Sequence, residues 1–212
     1  RVGIARAGAI EPLVALVRDG SAKAQEAAAS AMAHLAGNTD NRLEIATVGG
    51  IKALVALMGV RHDSTGRQNA PEYAQTALAT ICQSSDQMVM LALAGEIEPF
   101  VALLRDGSAN AAVGAASALA KISSDNTENR VAIARAGAIE PLVALMRSDS
   151  DSAMAQEMAL AALYNLADTD ANRVAIARAG AIEHLVALER GGNARVQNAA
   201  THLLARIAPE RI

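Results

Sequence analysis

One stretch of seventeen residues constrains this chain more than any other feature: Asn129-Arg130-Val131-Ala132-Ile133-Ala134-Arg135-Ala136-Gly137-Ala138-Ile139-Glu140-Pro141-Leu142-Val143-Ala144-Leu145. It returns almost letter for letter at Asn172 to Leu188, and it opens the chain from Arg1 to Leu16. A segment copied this closely describes architecture rather than chemistry. The glycine before its Ile-x-Pro-Leu-Val core serves as a ruler. Gly8, Gly49, Gly95, Gly137 and Gly180 lie 41, 46, 42 and 43 residues apart. Periods near 40 to 47 belong to helical arrays of the armadillo and HEAT classes and exclude the repeats of 33 to 34 residues.

Within each period the pattern predicts three helices. The first is short, as in Arg130 to Ala136, and polar residues precede it: Asp125-Asn126-Thr127 in one unit and Asp168-Thr169-Asp170 in the next. Their side chains can accept from the unpaired N–H groups of a first helical turn. Gly137 then stops the helix by taking a left-handed conformation. A second helix carries Pro141 in its first turn, where the missing N–H is harmless. Ile139, Leu142, Val143, Leu145 and Met146 give it one apolar face at helical spacing. After a turn of the Arg18-Asp19-Gly20-Ser21 kind, repeated as Arg105-Asp106-Gly107-Ser108, comes a long Ala-rich third helix. It is expected at Ala22–Ala36, Glu72–Cys82, Ala109–Ile122, Ala153–Ala167 and Ala194–Ala208. Two insertions disturb the period, in the polar stretch Arg61 to Asn69 and near Ser148-Asp149-Ser150-Asp151. An array tolerates this because each unit touches only its neighbours.

Composition agrees with an all-α chain. Apolar residues make up 52% of it, but aromatics are 1% and there is no Trp. The core must therefore be Ala, Val, Leu and Ile, whereas a sheet protein leans on aromatic and β-branched side chains. A net charge of -3 supplies no basic field to recruit nucleic acid or an anionic membrane. The longest apolar run, Met88 to Gly95, falls far short of the roughly 20 residues that span a bilayer. The lone Cys82 has no internal disulfide partner and fits a reducing compartment. The chain reads as soluble and intracellular, cytoplasmic or nuclear.

Together, the short helix, the glycine, the Ile-x-Pro-Leu-Val-x-Leu helix and the long third helix resemble the armadillo repeat family. HEAT repeats, the other class with this period, usually lack the glycine-separated extra helix. The resemblance covers the whole chain as one array of repeats at about 1–40, 41–86, 87–128, 129–171 and 172–212. It implies an all-α, right-handed superhelical solenoid. Copies 1, 4 and 5 carry the motif most fully. Copy 3 departs at Met88-Val89-Met90-Leu91, and copy 5 has His184 in place of the proline. Because Arg1 starts partway through a unit, a longer parent array is expected, and so is end-to-end packing against a neighbour.

No constellation for catalysis emerges. His34, His62, His184 and His202 include no pair with the spacing of a zinc-binding H-E-x-x-H helix. Asp149-Ser150-Asp151 resembles the start of a calcium loop but lacks its glycine and its closing glutamate, with Leu160 at the twelfth position. Glu11, Glu98, Glu140 and Glu183 recur because the repeat recurs, each near a helix start where the macrodipole favours an acid. The pairs Gly49-Gly50 and Gly191-Gly192 end helices and cradle no phosphate. No enzyme, no cofactor and no metal site are expected.

What the resemblance does imply is a binding face. In armadillo proteins the third helices line a concave groove, where an Asn on each grips the backbone of an extended peptide and a Trp one turn earlier packs its side chains. The matching ladder positions here are His34, Thr80, Lys121, Asn165 and Arg206, so only Asn165 keeps the family residue. One turn earlier stand Ser30, Thr76, Ser117, Ala161 and His202, without any Trp. Two turns before the ladder stand Glu26, Glu72, Val113, Glu157 and Asn198. Such a groove is mixed, acidic along one edge and cationic at Lys121, Arg195 and Arg206. With helices roughly 8–10 Å apart, it would span about 40–50 Å and hold roughly 12–15 extended residues. A non-catalytic scaffold for a protein or peptide partner is the leading expectation. The alternatives are a structural accessory subunit or spacer in a larger assembly, and the interaction domain of a multidomain protein whose activity lies elsewhere.

Overall fold

The computed structural model describes residues 8–59, 69–82, 94–147 and 153–209. Every regular element among them is a helix, thirteen in all, and none is a strand. In chain order these are α1 (Ile10–Asp19), α2 (Ala22–Leu35), α3 (Thr39–Thr47), α4 (Gly50–Met58), α5 (Ala70–Ile81), α6 (Ile97–Asp106) and α7 (Ala109–Ser123). They continue with α8 (Thr127–Arg135), α9 (Ile139–Arg147), α10 (Ala153–Leu166), α11 (Asp170–Arg178), α12 (Ala181–Gly191) and α13 (Ala194–Ile207). The expected third helices are α2, α5, α7, α10 and α13, each within two residues of its expected ends. The Arg61 to Gln68 insertion, the Met88 to Leu91 departure and the Ser148 to Asp151 insertion lie outside the described residues.

Local chemistry accounts for where these helices start. Ahead of each described short helix, Asn38, Asn126 and Thr169 accept from the backbone N–H three residues on, at 3.1, 3.0 and 3.4 Å. At each of those third residues stands a cassette Asn, whose side-chain amide reaches back to the preceding long helix. Asn41 donates to the Leu35 carbonyl at 3.0 Å, Asn129 to Ile122 at 3.0 Å and Asn172 to Leu166 at 2.9 Å. One Asn therefore satisfies an orphan carbonyl at a helix end while its own N–H is capped. Asn41 and Asn172 are buried, and these bonds explain how a core of small apolar residues accepts them.

Two kinds of glycine shape the turns. Gly8, Gly49, Gly137 and Gly180 all adopt the left-handed region, with φ between 74° and 80°. At Gly180 the site is also crowded, because the Arg147 guanidinium donates to its carbonyl at 2.9 Å and a Cβ would sit 2.8 Å from Arg147 Nη2. Gly180→Ala is therefore expected to cost about 1–2 kcal/mol, the left-handed penalty for a residue with a Cβ. Urea denaturation checks this, and an unchanged midpoint would remove the argument. The second kind is a close approach. At Gly20 and Gly107 a Cβ would lie 2.4 Å from the carbonyl oxygen of Leu16 or Leu103. That contact explains the glycine of the repeated Arg-Asp-Gly-Ser turn.

The chain divides into two compact units, residues 1–114 and 115–212. In the first, the long helices α2 and α5 pack side by side, and the second helices α1 and α4 do the same. Ile10, Ala28, Ala29, Met32, Leu54, Ala74, Ala77 and Ile81 are essentially inaccessible there. In the second, α10 packs against α13 and each second helix against its own long helix. Leu142, Ala159, Leu163, Leu166, Leu185, Ala200 and Leu203 form that core. Alanine at the long-helix contacts lets backbones approach closely enough to bury this surface with almost no aromatic volume.

Candidate functional site

In the first unit the face of α2 carries Glu26, Ser30 and His34, and that of α5 carries Glu72, Thr76 and Thr80. Several of these side chains are spoken for. Glu26 accepts from the backbone and side-chain amides of Asn69, at 3.4 and 3.1 Å, and so tethers the start of α5 to α2. The Thr76 and Thr80 hydroxyls each donate to the carbonyl four residues earlier, both at 2.9 Å, which turns their protons onto their own helix. His34 is exposed, with Nδ1 2.8 Å from the Ser30 carbonyl oxygen, which fixes the ring and requires Nδ1 to carry the proton. Glu72 is exposed to solvent.

The second unit holds the rest: Ser117 and Lys121 on α7, Glu157 and Asn165 on α10, His202 and Arg206 on α13. The amide nitrogen of Asn165 donates to the Ala120 carbonyl near the end of α7 at 2.8 Å. Its side-chain oxygen has no hydrogen-bond partner among the described residues. The amide is thus clamped on one side and left with an acceptor on the other. Arg206 is more occupied than a solvent-facing ladder residue would be. Its guanidinium lies 4.1 Å from the centroid of the Tyr164 ring and donates to Asp168 Oδ1 at 3.1 Å. Asp168 also accepts from Arg130 at 2.5 Å, and Arg130 in turn donates to the Ser123 and Ser124 carbonyls at 2.8 and 2.6 Å. Arg206 therefore completes a clasp across repeats, Arg130–Asp168–Arg206, which closes the end of α7 against α10 and α13.

Arg130, Tyr164 and Asp168 had no place among the sequence candidates. Arg130 sits in the constant cassette, where it looks like part of the frame, and Asp168 looks like one more helix cap. Thr169 takes the cap, which frees Asp168 for the two arginines.

Beside Asn165, between α10 and α13, lies a cavity of about 360 Å³. Met158, Leu160, Ala161 and Ala199 give it apolar walls, and Glu157, Tyr164, Asn165, Arg195 and His202 complete it. Arg195 reaches Glu157 at 3.8 Å, with the arginine side chain 85% exposed and the glutamate 20%. A second crevice, of about 330 Å³, runs between α4 and α6 in the first unit, with Lys52, Glu96 and Asp106 among its lining. Burial raises the Glu96 carboxyl above its usual 4.5, and the Lys52 charge partly offsets this. No group of three or more metal-ligating side chains occurs among the described residues. None of the described helices is long and apolar enough to cross a membrane.

The model of the plant U-box protein ARM repeat region matches residues 13–211. The chain belongs to this armadillo-repeat family. No curated protein matches its sequence. Among solved structures, a computationally designed armadillo repeat protein for modular peptide recognition is 29% identical with a TM-score of 0.80, over 96% of this chain and 84% of that one. A designed armadillo repeat protein in complex with the peptide (KR)4 is 29% identical with a TM-score of 0.77, over 97% of this chain and 84% of that one. An engineered protein from a structural genomics consortium is 32% identical with a TM-score of 0.79, over 98% of this chain and 84% of that one. The matched family region is the armadillo-repeat part of U-box proteins, and its fold is the three-helix solenoid expected from the sequence.

Proposed function

We propose that these armadillo repeats form a non-catalytic scaffold that binds a protein or peptide segment on the face of the third helices. The observation that carries this reading is Asn165, clamped through its amide nitrogen and beside an open cavity. Its unpartnered oxygen is positioned to accept from a ligand N–H. The designed armadillo protein bound to (KR)4 supports peptide binding as a use of this fold. The U-box family supports placing the array as the recognition arm of a longer protein whose activity lies outside these residues.

Combining Lys121→Glu, Asn165→Ala and His202→Ala tests the face while leaving the Arg206 clasp intact. Co-purification followed by mass spectrometry is expected to show loss of captured partners, with stability lowered only by the lost Asn165–Ala120 hydrogen bond, about 1 kcal/mol. An identical partner set would sink the reading.

A further inference from the structure

The cavity between α10 and α13 carries more information than the ladder around it. Resting on the proposed scaffold reading, we infer that it seats one large apolar side chain from an extended partner segment whose flanking residues are acidic. At about 360 Å³, it lies near the lower end of ligand-sized cavities, which run from about 300 to 1,000 Å³. That suits a single side chain rather than a folded element. Its walls are Met158, Leu160, Ala161 and Ala199, none of which offers a side-chain hydrogen bond to a polar guest. A polar group set against these four would lose water without replacement. Glu157, Tyr164, Asn165, Arg195 and His202 leave polar groups for the backbone and flanks of the segment.

Ala161 is central to the argument. It occupies the position, one turn before Asn165, where a bulky residue of the array itself would fill this space. With alanine there, the array presents a hole and the bulk must come from the partner. Asn165 supplies the neighbouring backbone contact, because its nitrogen is held on the Ala120 carbonyl at 2.8 Å and its oxygen has no partner among the described residues. An extended segment seated on that oxygen would present alternate side chains toward the cavity.

The charge preference follows from exposure. Glu157 and Arg195 form a long ion pair of 3.8 Å, but only the arginine is largely exposed, 85% against 20%. His202 is exposed as well. A residue flanking the guest therefore meets Arg195 and His202, both more exposed than the Glu157 carboxylate, whose charge the arginine partly offsets at 3.8 Å. Acidic flanks are complementary to this rim and basic flanks are not.

Fluorescence anisotropy on the whole chain tests the inference with four labelled probes. One is a Gly/Ser dodecamer with a central Trp between two Asp residues. The second replaces the Trp with Ala, the third replaces both Asp with Lys, and the fourth is the (KR)4 peptide. The acid-flanked Trp probe is expected to bind about tenfold or more tightly than its Ala counterpart, which is the scale set by burying one large side chain. It should also bind more tightly than either basic probe. Ala161→Phe, which fills the cavity, should weaken it about tenfold. Arg195→Glu, a substitution at a largely exposed side chain, should reverse the order of the Asp- and Lys-flanked probes.

Equal binding of the Trp and Ala probes, no binding of the acid-flanked Trp probe, or tighter binding of (KR)4 each overturns the inference. Should Ala161→Phe shift the melting temperature, the Arg195→Glu reversal still decides. If the probes fail while the Lys121, Asn165 and His202 substitutions still abolish partner capture, the cavity assignment falls and the groove stands. If capture also survives those substitutions, the groove reading itself is wrong.

Discussion

Replacing Arg130 with methionine is expected to lower stability by about 2–4 kcal/mol, one of the two largest effects predicted for this protein. Its side chain is 13% exposed, so its hydrogen bonds are poorly replaced by water. Three short contacts depend on it, beside a longer one to the Thr127 hydroxyl at 3.4 Å. The Ser123 and Ser124 carbonyls close the C-terminal end of α7, where unpaired acceptors concentrate and a cation is favoured. The third is Asp168, which bridges to Arg206. Methionine keeps much of the packing volume and removes only the donors. Chemical denaturation followed by circular dichroism measures the loss.

The control is Arg173, the same letter in the next copy of the cassette. Its side chain is 36% exposed, it pairs with Asp170 one turn earlier on its own helix, and its contact with the Ala167 carbonyl is long at 3.4 Å. Arg173→Met should cost about 1 kcal/mol or less, in the range of exposed helical ion pairs. Equal losses at the two positions would show that the clasp contributes nothing.

The second large effect is expected at Phe100, the only phenylalanine in the chain and fully buried in α6. The other copies place leucine there, at Leu13, Leu54, Leu142 and Leu185. Phe100→Ala should cost about 3–5 kcal/mol, combining lost transfer energy with the cavity left behind. Phe100→Leu should cost about 1.5 kcal/mol or less, because leucine is what this position accommodates elsewhere in the array. Both values come from the same denaturation experiment. In an array with nearest-neighbour coupling, the loss can also appear as early unfolding of the first unit alone. A cost below about 1.5 kcal/mol for the alanine variant would mean that neighbouring helices collapse into the space.

Much of the fold was legible because a repeat states its rules more than once. The Gly137 and Gly180 helix stops, the polar caps before the short helices and the ends of the long helices could all be read by comparing copies. The cassette Asn was visible as constant, but its job was not, since the carbonyl it satisfies belongs to the preceding helix. The candidate face was legible only as a set of positions. Thr76, Thr80 and Glu26 turned out to be engaged within the array, and the residues of the Arg130–Asp168–Arg206 clasp came from three separate stretches of chain.

Arg42, Arg130 and Arg173 mark the boundary between the two kinds of information. As sequence they are one position in one motif, and comparing its copies settled the helices, their caps and their period. These depend on residues close together in the chain, so identical letters yield identical local structure. Tertiary structure decided what each arginine does. Arg42 reaches Thr39 at 2.9 Å, Arg173 reaches Asp170, and Arg130 reaches Asp168 from the following repeat. Two of the three pair with a side chain on their own helix, and only Arg130 takes an acceptor brought within reach from 38 residues away. The same holds at Asn165 and Ala161. The letters located a departure from the family's ladder and its missing Trp, but only the packing of α10 on α13 turned it into a cavity with a fixed acceptor beside it.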